Sequence, residues 1–255
     1  MKLTVVGSSC SIPRPGRACS SYLIESAGAA VIADLGTGAF ANLRRHRAFD
    51  EIDAIVISHM HADHFLDVIP MRYALKYGER TNARRPLLYV PPGGAEMLRE
   101  LVGAFAKESG DFLGDAFDVR TYDPNVALHV GDMTIRFAPT SHYIATYAMR
   151  FEAAGASVTY SSDTAPDEGV VALAHETDAF VCEATLHEKN EADFPRGHLS
   201  AREAGGMAQR AAARSLLLSH YPASTDAESL EDGARSTFDG RIHVVDDGFT
   251  LALGA

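Results

Sequence analysis

Cysteine is scarce in this chain of 255 residues, and the three present, Cys10, Cys19 and Cys182, do not form a framework. An odd number without CxxC spacing indicates neither a disulfide scaffold nor a thiolate zinc site. Cys182 ends the apolar run Ala179-Phe180-Val181-Cys182 and reads as a small buried hydrophobe. Long hydrophobic runs are missing too. No stretch approaches the ~20 continuous apolar residues that span a bilayer, which argues against a membrane partner. The opening Met1-Lys2-Leu3-Thr4-Val5-Val6 turns at once to Gly7-Ser8-Ser9, too early for a secretory signal. It reads as a first strand, and a cytoplasmic location is expected. Positive charge is the third shortage, with 23 Lys and Arg against 34 Asp and Glu, a formal net charge of -11. Broad nucleic-acid binding needs a positive surface to displace counterions, so this balance argues against it without excluding it. Arg44-Arg45-x-Arg47 and Arg84-Arg85 read as solvated faces. A small-molecule substrate is easier to reconcile with such a surface.

The composition is otherwise that of a globular protein, with 46% hydrophobic and 22% charged residues. Short apolar runs bounded by Gly, Pro or Ser predict strands at 3–6, 21–25, 30–34, 52–57, 87–90, 134–138, 147–152, 157–161, 179–183, 215–219, 242–245 and 249–253. Apolar residues at helical spacing predict helices over 40–46, 65–75, 94–106, 169–175 and 200–213. In 94–106 the residues Met97, Leu98, Leu101, Val102 and Phe105 form one face. The segment Lys107 to Phe117 reads as a loop with exposed aromatics, either a rim or a packed connection. No linker or repeat divides the chain. An α/β protein with two packed sheets flanked by helices follows, as one domain over 1–255.

Against this background the seven residues Ser58-His59-Met60-His61-Ala62-Asp63-His64 stand out. They place three imidazoles and one carboxylate within six positions, directly after the apolar run 52–57. A lone histidine is more often a surface or satisfied core residue, and the chain has 11. Four ligand-type residues at His-x-His-x-Asp-His spacing after a strand are a different proposition. Neutral imidazole nitrogen and carboxylate oxygen suit zinc and also admit manganese or iron.

One turn cannot complete two coordination shells, so more ligands are expected at other strand ends. His142, Asp163 and His220 meet that demand, each where an apolar strand gives way to a loop.

With these residues in place the chain resembles the metallo-β-lactamase-fold hydrolases. The motif from His59 to His64, the upstream Asp34 in Ala33-Asp34-Leu35-Gly36-Thr37-Gly38, and His142, Asp163 and His220 occur in that family's order and span nearly the whole chain. The resemblance implies an αβ/βα four-layer sandwich carrying two divalent metal ions. It assigns His59, His61 and His142 to one ion, Asp63, His64 and His220 to the other, and Asp163 to both; Asp63 counts as a catalytic carboxylate as well as a ligand. Asp34 would orient a ligand histidine. Hydrolysis by a metal-bridging hydroxide is the expected reaction.

Within that family, Gly197-His198-Leu199-Ser200-Ala201, Glu183-Ala184-Thr185 and the opening Gly7-Ser8-Ser9-x-Ser11-x-Pro13 are similar to phosphodiesterases of the ribonuclease Z type. The resemblance implies His198 as a phosphate contact or proton donor to the leaving alkoxide; otherwise His198 merely caps the helix near Ser200. Two departures count against a tRNA 3′-processing enzyme. Only 20 residues separate His142 from Asp163, room for a hairpin but not for a tRNA-gripping arm, and Ser219-His220-Tyr221-Pro222 does not continue as Arg-Tyr. Some armless bacterial relatives with a similar Gly-His-Leu-Ser-Ala element are cyclic-nucleotide phosphodiesterases, so the resemblance makes a small phosphodiester the leading substrate class. The alternatives are a lactonase or other carbon-ester or amide hydrolase, for which Tyr143 or Tyr221 would polarise the carbonyl, and an RNA 3′-processing nuclease of the ribonuclease Z type. A degenerate scaffold or a flavin-dependent redox protein fits less well, because every ligand position is filled and no carboxylate stands within His59-Met60-His61. Phe65, Phe112, Tyr143 and Phe194 are candidate pocket-lining aromatics. Pairing into a homodimer is left open.

Overall fold

The computed structural model describes residues 1–106, 111–188 and 195–254. Its first half builds one mixed sheet from β1 (Lys2–Gly7), β2 (Ser21–Glu25), β3 (Ala30–Ala33), β4 (Ala54–Val56), β5 (Leu87–Val90) and β6 (Asp118–Thr121). The second half builds another from β7 (Leu128–Val130), β8 (Met133–Pro139), β9 (Tyr147–Ala153), β10 (Ala156–Tyr160), β11 (Ala179–Glu183), β12 (Ser215–Ser219) and β13 (Arg241–Val244). The last strand, β14 (Thr250–Ala252), returns to the first sheet, giving the orders β14-β1-β2-β3-β4-β5-β6 and β13-β12-β11-β10-β9-β8-β7. Both sheets are half meander and half crossover: β3 to β6 and β10 to β13 are parallel, while the remaining pairs are antiparallel.

The helices lie on the outer faces. They are α1 (Ala39–Leu43), α2 (Ala62–Phe65), α3 (Val68–Tyr77) and α4 (Gly94–Gly103) on the first sheet, with α5 (Glu168–Leu173), α6 (Ala201–Arg210) and α7 (Ala227–Arg235) on the second. Strand alternation divides the buried residues into three layers. In β4, Ile55 packs toward the helices of the first half, whereas Ala54 and Val56 pack between the sheets. In β12, Leu216 and Leu218 face the helices of the second half, and Leu217 faces the other sheet. Central strands buried on both faces are apolar at most positions, which is why they read as short continuous runs. The result is the expected four-layer αβ/βα sandwich.

Three elements have no counterpart in the sequence prediction. β6 and β7 are edge strands with half-exposed residues, and α7 carries only Leu230, Gly233 and Ala234 as its buried face. The edge strands bury too little to impose an alternation, and α7 has helical spacing but only one large apolar residue, Leu230, to reveal it. Where it is described, 107–117 is a loop and the packed connection rather than a rim; only the expected exposure of its aromatics is corrected, since Phe112 is 5% exposed and Phe117 fully buried; residues 107–110, like Phe194, lie outside the described residues. Met97 and Phe105 do not join the buried face of α4, which uses Leu98 and Val102. Phe65 and Phe112 belong to the core; Phe112 also lines a cavity with Leu98, Val102 and Leu113, none of whose lining residues is a predicted ligand. Among the described residues no helix is long and apolar enough to cross a membrane.

Candidate metal centre

Every predicted ligand sits past the end of a strand, and the topology brings those ends together. Ser58 and His59 follow β4, and α2 then turns Asp63 and His64 back toward the same point. His142 follows β8, Asp163 follows β10, and His220 follows β12 directly. Three residues there have left-handed backbone: Asp34 (φ 56°), Ser162 (φ 52°) and His220 (φ 51°). For side-chain-bearing residues this conformation costs of order 1–3 kcal/mol each and persists only where surrounding bonds enforce it. At His220 the enforcing bond is its N–H to the Ser8 carbonyl, 2.8 Å.

The hydrogen bonds around the imidazoles determine which nitrogen faces inward. His64 donates from Nδ1 to Asp34 Oδ2 at 2.7 Å, and His142 donates from Nδ1 to the Gly197 carbonyl at 2.7 Å. Ser58 Oγ gives its own proton to Asp34 Oδ2, so at 3.0 Å it accepts from His59 Nδ1. Thr185 Oγ1 likewise donates to the His220 carbonyl and accepts from His220 Nδ1, both at 2.9 Å. Each of these four rings therefore presents an unprotonated Nε2 when neutral.

Those lone pairs converge. His61 Nδ1 lies 3.1 Å from both His59 Nε2 and His142 Nε2. Asp163 Oδ2 is 3.8 Å from the same two Nε2 atoms, while its Oδ1 is 3.4 Å from His64 Nε2 and 3.5 Å from His220 Nε2. Asp63 Oδ2 is 3.4 Å from His64 Nε2 and also 3.4 Å from His220 Nε2. His64 Nε2 and Asp163 Oδ1 are buried without a hydrogen-bond partner among the described residues. Converging imidazole nitrogens and carboxylate oxygens, two of them buried without a hydrogen-bond partner, fit divalent cations. Electrostatics agree. Burial, reinforced by His64, pushes the His59 imidazole well below its usual range. Burial also opposes charge on His64, yet Asp163 and Asp34 hold it well above that range. The carboxylates demand positive charge at the point where most of the rings resist taking a proton, and a bound cation resolves that conflict.

Asp34 is the hub beneath the cluster. Wholly buried, it accepts from Ser58 N, Ser58 Oγ, His64 Nδ1 and Tyr160 Oη at 2.6–2.9 Å. It thereby orients a ring of each predicted ligand set, His59 through Ser58 and His64 directly.

His198 stands beside the ligands. Its Nδ1 faces both oxygens of buried Glu183 at 3.0 and 3.1 Å and lies 4.0 Å from Asp163 Oδ2. Burial works against its charge, but the Glu183 carboxylate prevails and the imidazole is pushed up to about 9. It does not cap α6. Ser200 does, through a reciprocal capping box with Glu203. Glu183, Ser58, Thr185 and Tyr160 are the supporting residues the sequence reading left without a role. Ser58 opens the run to His64 and Glu183-Ala184-Thr185 is visible as an element, but neither pattern by itself gives these supporting contacts. Tyr221 is 2% exposed and its hydroxyl faces Asp246 and the Val245 carbonyl, so it is not available to a substrate carbonyl.

A two-sheet sandwich with this His/Asp cluster at its strand ends defines a metallo-hydrolase. The chain belongs to the family described as the Beta-lactamase superfamily domain, whose sequence profile matches residues 30–221. It is 32% identical to the protein ML1173 of Mycobacterium leprae over 100% of this chain and 89% of that one. To the probable metallo-hydrolase YhfI of Bacillus subtilis it is 26% identical, covering 98% of each; the crystal structure of YhfI superposes with a TM-score of 0.89 over 99% of both chains at 25% identity. A Ribonuclease Z of Mycobacterium bovis is 29% identical over 97% of this chain and 96% of its own.

Proposed function

We propose that this metallo-hydrolase is a phosphodiesterase acting on a small phosphodiester such as a cyclic nucleotide. One divalent cation would be held by His59, His61, His142 and Asp163 Oδ2, and a second by Asp63, His64, His220 and Asp163 Oδ1. Zinc suits the donors best, with manganese or iron accommodated by the same atoms. When bound, such ions lower the pKa of water and accept the negative charge that develops on a phosphoryl oxygen.

The observation that carries this reading is the His198–Glu183 pair, 4.0 Å from Asp163. Glu183 accepts from His198 Nδ1 and favours the imidazolium, whose Nε2–H would pass its proton to the departing alkoxide as the P–O bond breaks and leave the ring neutral. Glu183 is itself held by the Thr164 N–H at 2.7 Å, so proton donor and bridging carboxylate are positioned by adjacent residues. Two further features favour a small substrate over RNA. The interval between His142 and Asp163 is filled by β9, β10 and their tight turn, and the net charge is -11.

A second reading, hydrolysis of a lactone or other carbon ester, draws on Tyr143, whose ring lies 5.0 Å from that of His142. Metal-loaded protein assayed with bis(p-nitrophenyl) phosphate and with an acyl-homoserine lactone separates the two. Phosphodiester turnover is expected; lactone turnover alone overturns the proposal.

A further inference from the structure

The proposed chemistry leaves one exposed ring beside the centre without a task. Tyr143 is 59% exposed, although its ring centroid lies 5.0 Å from that of His142 and 5.9 Å from that of His198. The loop that carries it is tied down on both sides. Thr140 N–H bonds the Thr146 carbonyl, Thr140 Oγ1 donates to the Asp163 carbonyl, Ala165 N–H bonds the Ser141 carbonyl, and Ser141 Oγ donates to Asp167.

Beneath the ring is Gly197. A Cβ there would stand 3.0 and 3.1 Å from Tyr143 Cε2 and Cδ2, and 2.7 Å from His142 Nδ1. Only hydrogen fits, so the ring rests on the Gly197 backbone while most of the residue stays open to solvent. Among the described residues the Tyr143 hydroxyl makes no hydrogen bond. What the fold positions is the ring face.

We infer that Tyr143 is a specificity-determining residue, the platform on which the base of a nucleotide phosphodiester stacks; the inference rests on the phosphodiesterase reading above. A phosphodiester placed between the ligand cluster and His198 has its base one sugar away, a span comparable with the separation of Tyr143 from His198. A rigid aromatic face loses little entropy on stacking. Every base has a π-face, so Tyr143 selects for the presence of a base rather than for its identity. The contact carries no charge, so a chain with a net charge of -11 gains affinity for an anion without adding repulsion.

The test compares 3′,5′-cyclic AMP with the base-free ribose 3′,5′-cyclic phosphate, using wild type, Tyr143→Phe and Tyr143→Ala with rates normalised to bound zinc. Base stacking predicts that the preference for the nucleotide, as a ratio of kcat/KM values, falls roughly 5- to 100-fold in Tyr143→Ala, chiefly through KM. Tyr143→Phe keeps the ratio. A ratio unmoved in Tyr143→Ala overturns the inference, as does an equal collapse in Tyr143→Phe, which would assign the role to the hydroxyl. If wild type cleaves both cyclic phosphates at the same kcat/KM, the platform falls while the phosphodiesterase reading stands. If it cleaves neither, both fall.

Discussion

His64 donates its Nδ1 proton to Asp34 Oδ2 across 2.7 Å in a region with no solvent access to either side chain. The same carboxylate holds Ser58, which holds His59, so one buried acid sets the tautomer of a ring on each side of Asp163. Replacing Asp34 with Asn puts an amide where His64 and Tyr160 both need an acceptor. We expect Asp34→Asn to weaken metal binding about 10- to 100-fold, the usual cost of losing such a supporting carboxylate. Competition with a chromophoric chelator measures it; unchanged affinity would show that Asp34 does not orient the rings.

The Glu183–His198 pair should govern turnover and not metal loading. His198→Gln is expected to lower kcat on the order of 10²- to 10⁴-fold, with Glu183→Gln in the same direction but smaller. Metal content measured by elemental analysis should stay at the wild-type stoichiometry in His198→Gln. Loss of metal in step with activity would instead make His198 a ligand.

Gly197 brings its carbonyl to His142 Nδ1 with no room for a side chain. Gly197→Ala must displace His142 or Tyr143, because the added carbon would sit 2.7 Å from the imidazole. A loss of metal affinity of roughly 10-fold or more is expected, by analogy with other disturbed supports of ligand histidines. Chelator competition on this variant, with circular dichroism as the check on folding, decides the point.

Asp50 offers a pH test away from the metal centre. Its Oδ2 accepts from Asn82 N at 2.8 Å, Thr81 N at 2.6 Å and Thr81 Oγ1 at 3.0 Å. These bonds, led by that from Asn82, hold its carboxyl below the ordinary value despite burial. A pKa lowered on folding contributes stability that is present above the unfolded value of about 3.9 and is lost as pH falls through the folded one. Asp50→Asn should therefore cost about 1 kcal/mol at neutral pH, and the gap to wild type should close below about pH 4. Urea midpoints recorded across that range report it. A gap that persists at low pH would mean the carboxylate charge is irrelevant.

Removal of the metals supplies the remaining check. Dialysis against a chelator should abolish turnover and lower the unfolding midpoint, because the folded protein then loses the binding free energy of a cation held jointly by residues from separate strand ends. Restoration by zinc or manganese should recover both. Full activity in the chelated protein would remove the basis of the proposed mechanism.

Much of this was legible along the chain because it is local. Strands buried on both faces need an unbroken apolar stretch, so β4, β11 and β12 announced themselves through Ala54–Val56, Ala179-Phe180-Val181-Cys182 and Leu216-Leu217-Leu218, and His59 to His64 follow one another within a single turn and its short helix. His142, Asp163 and His220 were legible as strand-end residues. Their pairing with particular partners was not a local property, and the resemblance supplied it. Edge strands such as β6 and β7 bury too little to impose a pattern, and α7 buries only a narrow stripe.

Composition and spacing alone determined the chemical type of the candidate donors, their order, and the apolar strands that end beside them, since each depends on covalent neighbours and on the two-residue period of a strand. The three-dimensional arrangement settled which nitrogen of each ring faces inward, which carboxylate holds His198, and whether Tyr143 or Tyr221 stands open to a substrate. Those outcomes turn on hydrogen bonds and packing between residues far apart in sequence, such as Asp34 with Tyr160 and His142 with Gly197. No local pattern encodes such a contact; it exists only once the two sheets have closed on each other.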